Sequence, residues 1–316
     1  MRELQVKDIL FGAAYYPEYM PYDRLQEDIA MMQKAGMNTI RIAESTWSTL
    51  EPAEGVYDFS YIDKALAAAE EAGMYVIIGT PTYAIPSWLE KKCPEVMVFD
   101  GYSRKKYGKR QIMDIVHPVF RKCAENVICK LLEHTANVSC VIGFQIDNET
   151  KHYGTASPQV QRMFVEYLKT KFHTTEQLNE VFGLRYWSNS ISDWSDFPDM
   201  AGCIHGGLAC EFAKFQRSLA AEYLVWQSEL VKKYKRQDQF ITHNFDFEWK
   251  KFGADIAQDG YSYGVQPDIN HYEASKAVTI AGTDIYHPTQ DGLTGAEIGF
   301  GGDSIRTLKD DAYIVL

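Results

Sequence analysis

The feature that most narrows the fold is a rhythm. Short apolar runs of strand length return along the chain, and amphipathic helical segments fill the intervals between them. Strands are expected at 9–18, 37–44, 74–82, from Val141 onward, and at 240–245, 278–288 and 312–316. Helices are expected at 22–35, 59–72, 118–135, 158–172, 176–182, 208–234 and 268–275, with a helical link at 304–310. Leu25, Ile29 and Met32 recur at helical spacing, as do Ile62, Leu66 and Ala69, and Gly36 and Gly73 stand where those helices stop. Parallel strands need long crossovers, and helices supply them. No Gly-x-Gly-x-x-Gly follows the first strand, so a closed (β/α)8 barrel of the TIM type is preferred to a nucleotide-binding sheet. No linker, repeat or low-complexity segment divides the chain, and residues 1–316 read as one domain.

A parallel barrel also says where chemistry belongs. Loops at the carboxyl ends of its strands converge on one pocket, so polar residues there are the ones to weigh. The run Val141-Ile142-Gly143-Phe144-Gln145-Ile146-Asp147-Asn148-Glu149-Thr150 begins as a buried strand and turns abruptly polar. Asn148 and Glu149 form the pairing that a glycosidase needs. The carboxyl protonates a leaving oxygen, and the amide hydrogen-bonds the sugar hydroxyl beside the reacting carbon. On these residues alone a solvated turn after a strand is the default reading. The basic run from Arg104 to Arg110 is a solvated face by default, and Arg110 is the member placed to bend inward to a ligand hydroxyl.

Bulk properties exclude some partners. A net charge of −11 repels nucleic acid and anionic membrane surfaces. The longest apolar runs are of strand length, so no membrane-spanning helix is expected. The first residues are charged, without an apolar secretory core, and the six cysteines include no Cys-x-x-Cys pair. A cytoplasmic protein with reduced thiols, no zinc site and no cofactor is the expectation. Aromatic residues at 13% suit sugar faces stacking on flat rings, and suit a large core as well.

Seven blocks, Gly12 to Glu18, Asn38 to Ile42, Gly79 to Thr82, Gln145 to Glu149, Leu178 to Gly183 with Tyr186-Trp187, Thr242 to Phe245, and Asp284 to Pro288, resemble in this order the catalytic barrel of family 42 glycoside hydrolases, the β-galactosidases. The resemblance implies a retaining hydrolase of terminal β-linked galactose, with Glu149 as general acid/base and Asn148 on the sugar hydroxyls. It sets Arg110 where the family has a sugar-binding arginine, and Trp187 and Tyr286 where it lines the galactose pocket. A surface cation at Arg110 and plain packing at Trp187 are the alternatives.

Two departures from the family pattern follow. Asp114 and the stretch Lys151 to Thr155 stand where many members carry zinc-binding cysteines, so that metal is expected to be absent. The family's nucleophile follows a seventh strand like Ala312 to Leu316, and the sequence ends there. The residues are therefore expected to be the amino-terminal part of a longer enzyme, a barrel truncated after its seventh strand and inactive alone. Of Glu44, Glu248, Glu273 and Glu297 as substitute nucleophiles, only Glu44 ends an expected strand, and it is as well placed to pair with Arg41 or Arg110. The resemblance also implies a homo-oligomer, often a trimer, for the complete enzyme. Competing readings are a non-catalytic carbohydrate-binding barrel holding sugar through Arg110, Asn148 and Trp187, and an α-L-arabinopyranosidase.

Overall fold

The structure is a computed structural model that describes residues 9–251, 261–285, 295–309 and 313–315. Its strands are β1 (Gly12–Ala14), β2 (Thr39–Ile42), β3 (Tyr75–Gly79), β4 (Val141–Gln145), β5 (Phe240–Thr242), β6 (Asn244–Phe245), β7 (Phe247–Lys251), β8 (Tyr261–Val265), β9 (Ala281–Thr283) and β10 (Tyr313–Val315). The helices are α1 (Leu25–Lys34), α2 (Trp47–Leu50), α3 (Ser60–Glu71), α4 (Ser87–Lys92), α5 (Pro118–Thr135), α6 (Pro158–Phe172), α7 (Thr175–Phe182), α8 (Gly206–Tyr234), α9 (His271–Ala274) and α10 (Ala296–Arg306).

β1 to β5 pair in sequence order, each parallel to the next. His243 alone separates β5 from β6, and there the strand passes from pairing with β4 to pairing with β9. β9 in turn pairs parallel with β10. The result is one parallel wall of seven strand positions wound in chain order, the arrangement of a (β/α)8 barrel. Each position falls inside a stretch expected to be a strand.

β1 is exposed, whereas β2 to β6 and β9 are almost wholly buried on both faces, which is why the inner strands read as continuous apolar runs. All of β2 is buried, and Val76, Ile78, Val141 and Phe144 have no exposed surface. Outside the wall α5 packs on α8, bringing the Phe120 and Tyr223 rings to 6.0 Å. Each such side chain adds about 1.5–3 kcal/mol by leaving water. Local signals set several ends: Ser157 and Thr174 accept backbone N–H bonds at the starts of α6 and α7, and Gly183 closes α7 in the left-handed region at φ 61°.

Some expectations shift. The first strand is short, because Pro17–Tyr19 turns as a 3-10 helix. The 45–58 loop contains α2, which buries Trp47 in the core edge-on to Trp88 at 6.5 Å. The helix expected at 304–310 lies earlier, as α10, and that expected at 268–275 is the single turn α9 with a 3-10 extension at Ser275–Ala277. An antiparallel hairpin, β7 with β8, was not anticipated.

Candidate active site

At the carboxyl end of β4 the backbone leaves the strand through two residues of positive φ, Asp147 and Glu149, both at 47°. Left-handed backbone at residues with a Cβ costs on the order of 1 kcal/mol each, so the surroundings must impose it. They do. The Asp147 N–H donates to Thr80 Oγ1 at 2.6 Å, Thr82 Oγ1 donates to Asp147 Oδ1 at 2.7 Å, and Thr150 Oγ1 donates to Asp147 Oδ2. The Glu149 N–H donates to the Asn244 carbonyl at 3.1 Å, and the Gln111 amide donates to the Asn148 and Glu149 carbonyls at 3.1 Å each. β3, β4, β6 and the loop before α5 thus fix one turn, and that turn presents Glu149.

The Glu149 side chain is mostly buried. Arg110 Nη2 lies 3.4 Å from its Oε2, and the Arg110 guanidinium spreads over the Tyr83 ring at 5.6 Å. Arg110 is half exposed, and a guanidinium carries only donors, the kind of group a ligand hydroxyl can accept from. In the rest of the basic run Arg104 donates to the Glu95 and Met97 carbonyls, Lys105 lies 3.7 Å from Asp100, and Lys106 and Lys109 are exposed.

Asn148 is clamped by its oxygen. Oδ1 accepts from Gln145 Nε2 and from Asn244 Nδ2, each at 3.1 Å. Behind it, Gln145 Oε1 accepts from Arg41 Nη1 at 2.9 Å, and Arg41 Nε donates to Glu44 Oε1 at 3.0 Å. Tyr16 donates to the same Glu44 oxygen at 2.6 Å. Glu44 therefore pairs with Arg41, not with Arg110.

Burial and neighbouring charge sort the titratable groups. Burial lifts Asp147 to about 6. Asp284, one residue past β9, is pushed up to about 8, first by burial and then by Glu149 beside it. Burial also raises Asp246, against the pull of Lys151, whose Nζ sits 2.5 Å from Asp246 Oδ2. His243 is driven down to about 3 by burial, and its neutral ring has both nitrogens engaged. Nδ1–H donates to the Ile146 carbonyl at 2.6 Å, and Nε2 accepts the Thr150 N–H at 3.3 Å.

Of the residues singled out from sequence, Glu149, Asn148 and Arg110 come together at this rim. Trp187 is 73% exposed and stacked on Tyr186 with ring centroids 4.8 Å apart, and its backbone sits at φ 51°. Tyr286 lies outside the described residues, as do the side chains of Glu248 and Glu297. Glu273 is exposed and paired with Lys276. Gln145, Asp147, Asn244 and Asp284 were not singled out individually, although each stands at or just past the end of a barrel strand, which is the signal that marks them. Among the described residues no three His, Cys, Asp or Glu side chains are grouped to hold a metal, and no helix is long and apolar enough to cross a membrane.

A carboxyl and an amide at the end of the fourth strand of a parallel barrel, with an arginine across from the carboxyl, form an arrangement that suits a glycoside hydrolase. Comparison narrows the class: the family 42 glycoside hydrolases, described as beta-galactosidase, match residues 14–316, and the chain belongs to that family. Beta-galactosidase BgaA of a Thermus species is 31% identical over 252 residues, covering 75% of this chain and 38% of that protein. Beta-galactosidase LacA of Lactobacillus acidophilus is 27% identical over 318 residues, covering 99% of this chain and 46% of that protein. In structure, a catalytic mutant of Gan42B, a GH42 beta-galactosidase from G. stearothermophilus, superposes with TM-score 0.86 at 26% identity over 98% of this chain and 45% of that one. The chain spans less than half the length of these relatives.

Proposed function

We propose that the protein carrying this chain is a retaining β-galactosidase in which Glu149 is the general acid/base. The observation that carries the reading is the turn after β4, which holds Glu149 at the barrel rim between Arg110 and the clamped Asn148 amide. In the first step the protonated Glu149 carboxyl gives its proton to the departing glycosidic oxygen. In the second the resulting carboxylate takes a proton from the attacking water. Asn148, with its oxygen engaged, offers its NH2 to the hydroxyl beside the anomeric carbon, and Arg110 offers guanidinium N–H groups to other hydroxyls.

Retention needs a second carboxylate about 5 Å from the first, one that attacks the anomeric carbon. The described carboxylates near the turn are poorly suited to attack. Glu44 is held by Arg41 and Tyr16, Asp246 by Lys151, and burial beside Glu149 disfavours the charged form of Asp284. The reading therefore assigns the nucleophile to none of them, and the 316-residue chain alone is expected to bind galactose without hydrolysing a chromogenic β-galactoside. All six cysteines are free thiols, which fits work in a reducing compartment such as the cytoplasm. Calorimetric titration of the chain with galactose tests the reading: no binding sinks it, and turnover by this chain puts the nucleophile among its own residues.

A further inference from the structure

The hydrogen-bond chain under Asn148 has a direction fixed from one end. An arginine has donors and no acceptor, so the Gln145 atom 2.9 Å from Arg41 Nη1 is necessarily the amide oxygen. The Gln145 nitrogen then faces forward, donating to the Asp147 carbonyl at 3.0 Å and to Asn148 at 3.1 Å. Two donors converge on the near atom of Asn148, one from Gln145 and one from Asn244, so that atom is an oxygen and the NH2 is turned the other way. Asn244 has no comparable anchor of its own, since its Oδ1 is buried without a partner among the described residues. Every group from Arg41 to Asn244 is nearly or fully buried, so water cannot reset the order.

We propose that Gln145 is a positioning residue that sets the polarity of the substrate contact, transmitting the Arg41 guanidinium to Asn148 so that the sugar's C2 position meets a donor. This rests on the reading that Asn148 faces the hydroxyl beside the reacting carbon, and it predicts a specificity. A C2 substituent able to accept is taken, and one able only to donate is refused. Galactose and 2-deoxy-2-fluorogalactose are of the first kind, and galactosamine, with a C2 ammonium, is of the second.

Gln145→Glu keeps the acceptor for Arg41 and removes both forward donors. Asn148, facing a carboxylate oxygen, turns its NH2 backward, and Asn244 turns with it because nothing else holds its amide. Calorimetric titration of the unaltered chain is expected to give galactose and the 2-fluoro sugar comparable affinities and galactosamine an affinity at least about tenfold weaker. In Gln145→Glu the 2-fluoro sugar weakens about tenfold relative to galactose while galactosamine gains. Added charge alone strengthens galactosamine but leaves the ratio of the two neutral sugars unchanged, so that ratio decides. An unchanged ratio in a folded Gln145→Glu protein overturns the proposal. Should that variant not fold, Gln145→Met removes the relay without adding charge, and the preference for galactose over galactosamine must narrow toward one, or the proposal fails. Absence of galactose binding by the unaltered chain defeats the galactoside reading itself, a different result from an unchanged ratio.

Discussion

Arg41 Nε and Glu44 Oε1 meet at 3.0 Å inside the barrel mouth, with side chains 9% and 0% exposed. A buried pair gains little over an apolar replacement of both members, but losing one member strands the other's charge away from water. Glu44→Ala is expected to cost about 3–5 kcal/mol in denaturant unfolding. Glu229→Ala, which breaks the exposed pair with Lys232, should leave the midpoint almost unmoved. Equal midpoints for the two variants would contradict the burial argument.

In the proposed mechanism Glu149 carries the proton, so the effect of losing it should depend on the leaving group. In the complete enzyme, Glu149→Gln is expected to lower kcat/KM for an alkyl β-galactoside by at least about three orders of magnitude. For a galactoside with a strongly acidic phenol the loss should be far smaller, because that leaving group departs without a proton. Rates measured across a series of phenols check this, and a uniform loss removes Glu149 from the acid role.

His243 gives the fold a pH dependence of definite sign. Its folded value is held near 3 and its ordinary value is about 6.5, so the native state binds fewer protons than the unfolded chain between them. Stability from this group is complete above about pH 6.5 and is lost as pH falls toward 3. His271, held near 4 mainly by burial, acts in the same direction. Asp147 acts oppositely: its value is raised to about 6, so its contribution is present below about pH 4 and is lost as pH rises through 6. Asp284, raised to about 8, acts as Asp147 does, so the sign for His243 is read from a difference: in urea unfolding at pH 7, 6 and 5 the unaltered protein should lose stability relative to His243→Gln as pH falls. A constant difference between the two proteins would show that His243 is not the group that protonates.

The inner strands were legible because burial on both faces leaves uninterrupted runs such as Tyr75-Val76-Ile77-Ile78. The position of Glu149, the proposed general acid, was legible because the chain turns polar at once after such a run. What supports it was not, since Asp147 binds Thr82 across 65 positions and Asn148 binds Asn244 across 96, and no local pattern announces a pairing so distant. Trp47, on a polar stretch, looked like loop, yet its ring fills the core and its Nε1–H donates to Glu51 at 2.8 Å. The β7–β8 hairpin did leave a trace in the alternation of Phe247 and Trp249 with Glu248 and Lys250, a period-2 signal hidden among longer helical runs.

Gly79 ties the architecture to the site. A Cβ there would lie 2.5 Å from Glu44 Cβ, 2.9 Å from its Cα and 3.0 Å from its N. Those atoms belong to or adjoin the backbone that continues from β2, so they cannot swing aside as the tip of a flexible side chain could. Gly79→Ala must therefore push that backbone away from β3 and disturb the Glu44 carboxylate that holds Arg41. The expected cost is about 1–3 kcal/mol, the range for forcing a methyl group into a filled interior. Galactose binding should weaken in the same variant, because Arg41 anchors the chain that orients Asn148. Gly202, with open space around the corresponding position, is the control, and Gly202→Ala should alter neither the melting temperature nor the affinity. If Gly79→Ala loses stability but binds galactose as tightly as before, the link from β2 to the sugar contact is broken, and Glu44 and Arg41 are left with a purely structural part.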